Sequence, residues 1–399
     1  MNTFIKNTLL SGLLTTVAIQ LQAAPSVSLG DDAILFLTLS GGIEHQSNTT
    51  RQKTNEESEM IFTVTPGVEL QLGTENAAYL EATLGLEVRV HDDLDNLDGE
   101  YIRFNSLGYY DTGVALFKGY ASANELGTNS VDFSTTTPTA DLAERSDVAI
   151  GGSVNYLLSD QVSLSGGVDY LHRSFNDASL LAGSDAVSVP LRVLYAFDPA
   201  VSAFVGYRYR TASPFNAPAG SDIPDTEDHY IFGGIEGEIF NPLWTGSIDL
   251  GYQTRDFDGS ALIGGSSSTF SYNARLNYAA DTNWNVYGAL SRDFGQGTSD
   301  AAISYTRDQI SIGTQYLISE MWLAGGNLTL AKTEFEDTSA RKGRVDHLVS
   351  ASASVTWSPN EYVRITGAYK INDLNYDFIN PAFDEYKNTV FSLTASVRY

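Results

Sequence analysis

Roughly eighteen stretches of alternating apolar and polar residues run through this chain, and the breaks between them are short, then long, then short again. In "VSLSGGVDY", Val162, Leu164, Gly166, Val168 and Tyr170 fall on one face, with Ser163, Ser165, Gly167 and Asp169 on the other. "VSAFVGYRYR" sets Val201, Ala203, Val205, Tyr207 and Tyr209 against Ser202, Phe204, Gly206, Arg208 and Arg210. "YVRITGAYKI" sets Val363, Ile365, Gly367, Tyr369 and Ile371 against Arg364, Thr366, Ala368 and Lys370. The period predicts strands over 33–44, 60–72, 77–91, 100–110, 113–124, 144–158, 161–174, 185–197 and 200–212. In the second half it predicts 227–241, 243–257, 267–280, 283–294, 304–318, 321–335, 344–358, 361–375 and 386–399. Strands of about 10–15 residues exceed the five or six usual in globular sheets and match a tilted crossing of a bilayer.

Short breaks fall at "GTEN" (73–76), "DT" (111–112), "SD" (159–160), "DP" (198–199), "DT" (281–282), "SE" (319–320) and "PN" (359–360). Longer polar or acidic breaks lie at 45–59, 92–99, 125–143, 175–184, 213–226, 258–266, 295–303, 336–343 and 376–385. A soluble sandwich has no reason to collect its long loops at one end. An outer-membrane barrel does, with tight periplasmic turns and longer outer loops. In hydrocarbon every backbone donor and acceptor needs a partner, so a spanning sheet must close on itself. The expected fold is therefore an all-β, antiparallel up-and-down transmembrane barrel of about 18 strands, with 16–18 compatible with the pattern. An even count puts both termini in the periplasm of a Gram-negative cell. The closing strand is "FSLTASVRY", pairing with the first, "AILFLTLSGG". Its outward series Phe391, Leu393, Val397 and Tyr399, ending on an aromatic residue, resembles the signal read by the barrel assembly machinery.

Composition narrows the partners. The chain carries 49 acidic and 23 basic residues, a formal net charge of −26, which leaves no basic surface for nucleic acid. With no Cys there are no disulfides, thiolate zinc sites, catalytic thiols or lipoprotein anchor. "MNTFIKNTLLSGLLTTVAIQLQAAPSV" has Lys6, an apolar stretch to Leu21 and then Ala23-Ala24-Pro25, which reads as a secretory signal peptide over 1–23, with the barrel over 24–399. Outer-membrane lipid and lipopolysaccharide are the expected surroundings.

If the apolar face meets lipid, the interior receives Glu69, Glu81, Glu87, Arg89, Asp169, Arg192, Arg208, Arg210, Glu236, Glu238, Asp249, Arg255, Arg275, Arg364 and Lys370. Mixed charges are too costly to leave dry, so they predict a hydrated interior. They read either as a selectivity lining or as ion pairs that hold the wall in shape. "HDDLDNLDGE" (91–100) departs from the calcium-loop register by one residue at Asp93, Asp95, Asp98 and Gly99, so it reads as a solvated acidic loop or as one that weakly binds calcium or magnesium and bridges through them to lipopolysaccharide phosphates. "SDIPDTED" (221–228) reads the same way. His45, His91, His172, His229 and His347 belong to five strands near their outer ends and read as polar interface residues, not a metal site. Trp244, Trp284, Trp322 and Trp357 lie by short turns, as a periplasmic aromatic girdle requires. No nucleophile elbow, metalloprotease motif, phosphate loop or dinucleotide fingerprint is present, so neither catalysis nor a cofactor is expected.

The segments "GYQTRDFDGS", "VSLSGGVDYLHRSF", "VSAFVGYRYRTAS", "WNVYGALSRDFG" and "SASASVTWSPNEYVRITGAYKINDLNYDF", together with "YKNTVFSLTASVRY", share one pattern. A strand ends in Gly-x-x-Tyr, an acidic or aromatic outer loop follows, and the returning strand opens with polar residues. The pattern covers nearly the whole mature chain and resembles the "putative β-barrel porin" family, often encoded beside exopolysaccharide-export genes. The resemblance implies an export-associated or solute-conducting pore, with small solutes or polysaccharide as its cargo, and brings no catalytic residues. A structural or polysaccharide-binding barrel with a blocked lumen is the alternative. A secreted β-sandwich is a third reading, separated from both by whether an outward apolar band exists.

Overall fold

The computed structural model describes residues 27–28, 33–51, 56–74, 77–127, 144–176, 181–217, 222–258, 263, 265–299, 302–337, 345–376 and 385–399. The expected signal peptide lies outside them. A two-residue strand, β1 (Val27–Ser28), precedes β2 (Ala33–Gln46), β3 (Glu59–Thr74), β4 (Ala78–His91), β5 (Gly99–Asp111), β6 (Ala115–Leu126), β7 (Arg145–Leu157), β8 (Val162–Phe175), β9 (Gly183–Asp198) and β10 (Val201–Phe215). Then follow β11 (Asp225–Glu238), β12 (Trp244–Asp258), β13 (Ser266–Ala279), β14 (Trp284–Ser299), β15 (Ala302–Ser319), β16 (Trp322–Phe335), β17 (Val345–Trp357), β18 (Val363–Tyr376) and β19 (Tyr386–Arg398). Each strand from β2 onward pairs antiparallel with the next, and β19 returns to β2 from Val390↔Gln46 to Arg398↔Thr38. The sheet is closed. Below that seam Leu37 and Tyr399 exchange backbone bonds of 2.7 and 2.8 Å, and β1 continues along the same edge of β2 at Val27↔Leu35.

The short turns are built by side chains that the sequence places at their first position. Asp111, Ser159, Asp198, Asn241, Asp281, Ser319 and Asn360 each accept a backbone N–H from two or three residues further on. Asx and Ser side chains mimic a backbone turn in this way. In the β5–β6 turn Gly113 takes φ +79°, which a residue with a Cβ adopts only at a cost.

Two prolines leave local signatures. Pro66 has no N–H, and the β3–β4 ladder skips from Val64↔Val88 to Gly67↔Gly85. Pro190 does the same between β8 and β9, where pairing passes from Gly166↔Leu191 to Asp169↔Ser188.

Large apolar side chains are exposed on the outside, among them Leu84, Ile150, Val168, Val205, Ile231, Leu250, Ile312 and Leu393. A band of this kind is what hydrocarbon covers and water does not. At the short-turn end Trp244 stacks on Tyr278 at 4.6 Å and Trp322 lies 6.2 Å from Trp357, all on the outward face. Phe391, Leu393 and Tyr399 of the closing segment are also exposed outward.

The structure differs from expectation in places. The long break expected at 295–303 is instead the top of a β14–β15 hairpin, with β14 running to Ser299 and β15 starting at Ala302. Its Gly and Ser residues carry no strand signal of their own, and hydrogen bonds from Arg210, Thr226 and Arg255 to Phe294, Gln296 and Gly295 tie β14 to the wall beside it. The strand expected over 227–241 ends at Glu238. Within the acidic break after β4, Asp95–Leu97 forms a 3₁₀ turn that buries Leu97.

Candidate functional site: the charged interior

Directly opposed residues of antiparallel strands share a face, so the outward apolar positions identify the inward ones. With Leu80, Leu84 and Leu86 outward on β4, Glu81, Glu87 and Arg89 point inward. Glu69 on β3 sits opposite Thr83 and shares that face. With Val168 outward, Asp169 is inward, and its partner Ser188 carries the parity to Arg192. Arg208 and Arg210 alternate with outward Val205 and Tyr207, Glu236 and Glu238 with Ile231, and Asp249 and Arg255 with Leu250 and Tyr252. Arg275 lies opposite Ser247, and Arg364 and Lys370 alternate with outward Tyr369.

The wall from β9 to β15 gathers several of these charges with others. Arg192 donates to Glu236 at 3.0 Å. Arg208 forks onto both oxygens of Asp293 at 2.9 and 3.0 Å and lies over the Tyr230 ring at 5.1 Å. Arg210 donates from Nε to Asp228 at 2.6 Å and reaches Asp293 at 3.5 Å. Arg255 grips Asp228 through two bonds of 2.6 and 2.8 Å, and also donates to the Gly295 carbonyl and the Ser304 hydroxyl. The Arg255 and Asp228 side chains are 1% and 2% exposed. Their cost of desolvation is met by mutual pairing and by hydrogen bonds to the β14–β15 hairpin. Asp249 accepts from Tyr230 at 2.8 Å and from Asn273 at 2.9 Å.

Elsewhere the groups are smaller. Glu87 bridges Arg89 at 2.9 Å and Arg103 at 3.2 Å. Tyr79 donates to Glu81, and Tyr120 donates to Asp169. Arg398 meets Glu69 at 3.3 Å and packs 3.6 Å from the Phe36 ring centroid, tying β19 to β2 and β3. Arg275 and Arg364 have no ion-pair partner among the described residues. A cavity of about 500 Å³ opens between Ser153, Ser165 and Arg192 on one side and Asp249, Asn273, Arg275 and Asp293 on the other.

Asp228, Asp293, Tyr230 and Arg103 were not among the residues singled out from sequence. Asp228 corrects the reading of "SDIPDTED" as a solvated loop: the segment enters β11 at Asp225, and Asp228 is buried between two arginines. Its alternation with outward His229 and Ile231 was the available signal. In the other acidic stretch, Asp98 accepts the His91 backbone N–H at 2.7 Å, and no group of three or more metal-ligating side chains occurs among the described residues. His45, His172, His229 and His347 point outward near the outer ends of their strands, whereas His91 is buried inside. His172 pairs with Asp185 at 2.9 Å and stacks on Phe215, and His229 meets the Tyr207 hydroxyl at 2.7 Å.

A closed eighteen-strand barrel with an outward apolar band and a charged interior is the architecture of a membrane channel. A sequence model of the family described as "Putative beta-barrel porin 2" matches residues 34–399. The chain belongs to that family. Porins are channels, not enzymes, and the interior of this family member is accordingly the route to consider for solute. No curated protein matches the chain in sequence. Among solved structures, OpdK of Pseudomonas aeruginosa with vanillate is similar at 12% identity and a TM-score of 0.47, covering 92% of this chain and 99% of that one. A BenF-like porin from Pseudomonas fluorescens Pf-5 is similar at 12% identity and 0.47, with 92% and 99% covered. OccK2 (OpdF) of Pseudomonas aeruginosa in complex with glucuronate is similar at 11% identity and 0.48, with 92% and 98% covered.

Proposed function

We propose that this porin family member is a passive, water-filled channel of the Gram-negative outer membrane for polar solutes, and that it assists the passage of exopolysaccharide. The observation that carries the reading is the interior itself. Arg192, Arg208 and Arg275 line one cavity together with Ser153, Ser165, Asp249, Asn273 and Asp293, inside an outward band of exposed apolar side chains. Charges of both signs set across a passage create a transverse field that orders polar solutes without binding them tightly. Inward hydroxyls and amides suit a carbohydrate, which offers donors and acceptors and carries little apolar surface.

In this reading the short-turn end, where Ala33 and Arg398 lie, faces the periplasm, and residues 1–23 are the export signal. The outward closing series from Phe391 to Tyr399 serves recognition by the assembly machinery. Lipopolysaccharide surrounds the outer rim.

A second reading, a surface-binding barrel with an occluded lumen, is favoured by one observation. The upper β14–β15 hairpin leans against the inner face of β10–β12 through the Arg255, Arg210 and Thr226 contacts. Single-channel recording of the refolded protein in a planar bilayer separates the two. Stepwise conductance is expected. A folded barrel that conducts nothing overturns the channel reading and moves function to the outer surface.

A further inference from the structure

The wall is not uniformly zipped. β12 pairs with β13 up to Asp256↔Ser266, and β14 pairs with β15 up to Ser299↔Ala302. Between β13 and β14, however, the ladder stops at Tyr272↔Arg292, so 266–271 pair only with β12 and 293–296 only with β15. Side chains span the gap in place of backbone. Arg292 donates from Nε to the Thr269 hydroxyl at 3.0 Å and forks onto Asp308 at 2.9 and 3.2 Å, while Tyr272 donates to Asp308 at 2.7 Å. A side-chain latch is more easily opened than a strand ladder, because no chain of cooperative backbone bonds must break.

The latch stands between two spaces. Tyr272 and Arg292 line the interior cavity. Tyr272 also lines an outward groove of about 350 Å³. On that outer face two rows run across the strands. Leu290, Ile310, Leu330 and Val349 are directly opposed in succession and form an apolar row. One step towards the long-loop end, Arg292, Asp308, Lys332 and His347 form a charged row by the same register. From the girdle residue Trp284, Arg292 is eight positions along β14, which at ~3.3 Å per residue and a tilt of ~40° places the charged row ~20 Å up a band ~25 Å tall. Charged side chains at that height lie within ~5 Å of the upper edge of the band and reach the headgroups by extending upward, and the apolar row beneath faces acyl chains.

We propose that the β13–β14 seam is a lateral passage between the interior and the outer leaflet, latched by Tyr272, Arg292 and Asp308, for amphiphiles with an anionic head and a single hydrocarbon tail. The head would take the place of Asp308 on Arg292 and of Glu334 on Lys332 outside and then meet Arg275 inside, while the tail lies along the apolar row. The proposal rests on the channel reading above, so its test must be able to fail separately.

The chain has no cysteine, so single labels are clean. A fluorophore on Ser291→Cys sits on the inner face beside the seam, and one on Ser165→Cys sits across the cavity on an intact part of the wall. A label on Leu290→Cys, outward in the groove, is the positive control. The probe is 12-bromododecyl phosphate below its micelle concentration, with inorganic phosphate as competitor and brominated dodecyl maltoside as the neutral comparison. Conductance is recorded on the same preparation, which tests the channel reading independently. The expected result is quenching at Ser291→Cys well above that at Ser165→Cys, stronger for the phosphate than for the maltoside, and severalfold faster in Tyr272→Ala. Equal quenching at both inner sites means axial entry and overturns the proposal, as does no quenching at either. If Ser291→Cys does not fold, Asn273→Cys, its register partner across the seam, gives the same comparison.

Discussion

Arg208 and Asp293 are 85 residues apart in the chain and meet inside the barrel, the guanidinium donating to both carboxylate oxygens at 2.9 and 3.0 Å. Asp293 also draws in Arg210 at 3.5 Å, so one carboxylate holds two arginines at the edge of the cavity. The contact ties the β14–β15 hairpin to the inner face of β10, four strands away, and sets the local balance of charge.

Asp293→Ala frees Arg208 towards the passage, while Arg210 keeps its bond to Asp228. A unit charge at ~4 Å is worth ~1 kcal/mol even in water, or roughly fivefold in local ion concentration. The reversal potential in a salt gradient is expected to move towards anions by a permeability factor of that order, and Arg208→Ala to move it towards cations. Shifts of the same sign from both variants would sink this account of selectivity.

The Arg255–Asp228 pair predicts a stability effect and no specific effect on ion preference. Asp228→Ala leaves Arg255, itself 1% exposed, buried without its carboxylate, at a cost of ~3–5 kcal/mol. Asp228→Leu combined with Arg255→Met removes both charges and is expected to recover most of that loss. Urea unfolding of the refolded barrel, followed by heat-modifiable electrophoretic mobility, measures both.

Placement of the outward band is checked at Ile231, which is 68% exposed on the outside of β11. Ile231→Arg is expected to cost ~1–3 kcal/mol of folding free energy in a bilayer, between the values for a cation at the midplane and at the interface of a barrel's lipid face. Ser165→Arg, on the inner face, is expected to fold normally and lower conductance instead. If the two variants exchange these phenotypes, the assignment of faces is reversed.

Deleting Tyr399 removes the two backbone bonds it exchanges with Leu37 at the closing seam, a loss of about 1–3 kcal/mol in total. Refolding into detergent is expected to survive, whereas the amount of barrel recovered from outer membranes of expressing cells should fall sharply. Equal recovery in cells would remove the role of this end as an assembly signal.

Much of this was legible in one dimension. All eighteen expected strands occur, and Val162, Leu164 and Val168 lie outward while Asp169, Arg208 and Arg364 lie inward as the alternation implied. The reason is local: successive side chains of a strand point to opposite faces, so neighbouring letters already carry the face assignment. The turns were legible as well, because Asp111, Asp281 and Asn360 build them with their own side chains. The partner of each inward charge was not. Asp228 stood in an acidic stretch that read as solvated, and 295–303 read as a loop because Gly and Ser carry no strand preference.

The sequence by itself determined that the chain forms long two-faced strands, that these alternate tight and open connections, and that one face suits hydrocarbon. Those properties follow from bonded geometry and transfer free energy, and each is settled within a few residues. Only the tertiary structure decided that Arg208 meets Asp293, that Asp228 lies between Arg210 and Arg255, and that the β13–β14 ladder stops at Tyr272 and Arg292. Such meetings depend on strand tilt and stagger summed around the whole closed sheet, a quantity that no short stretch of the chain contains.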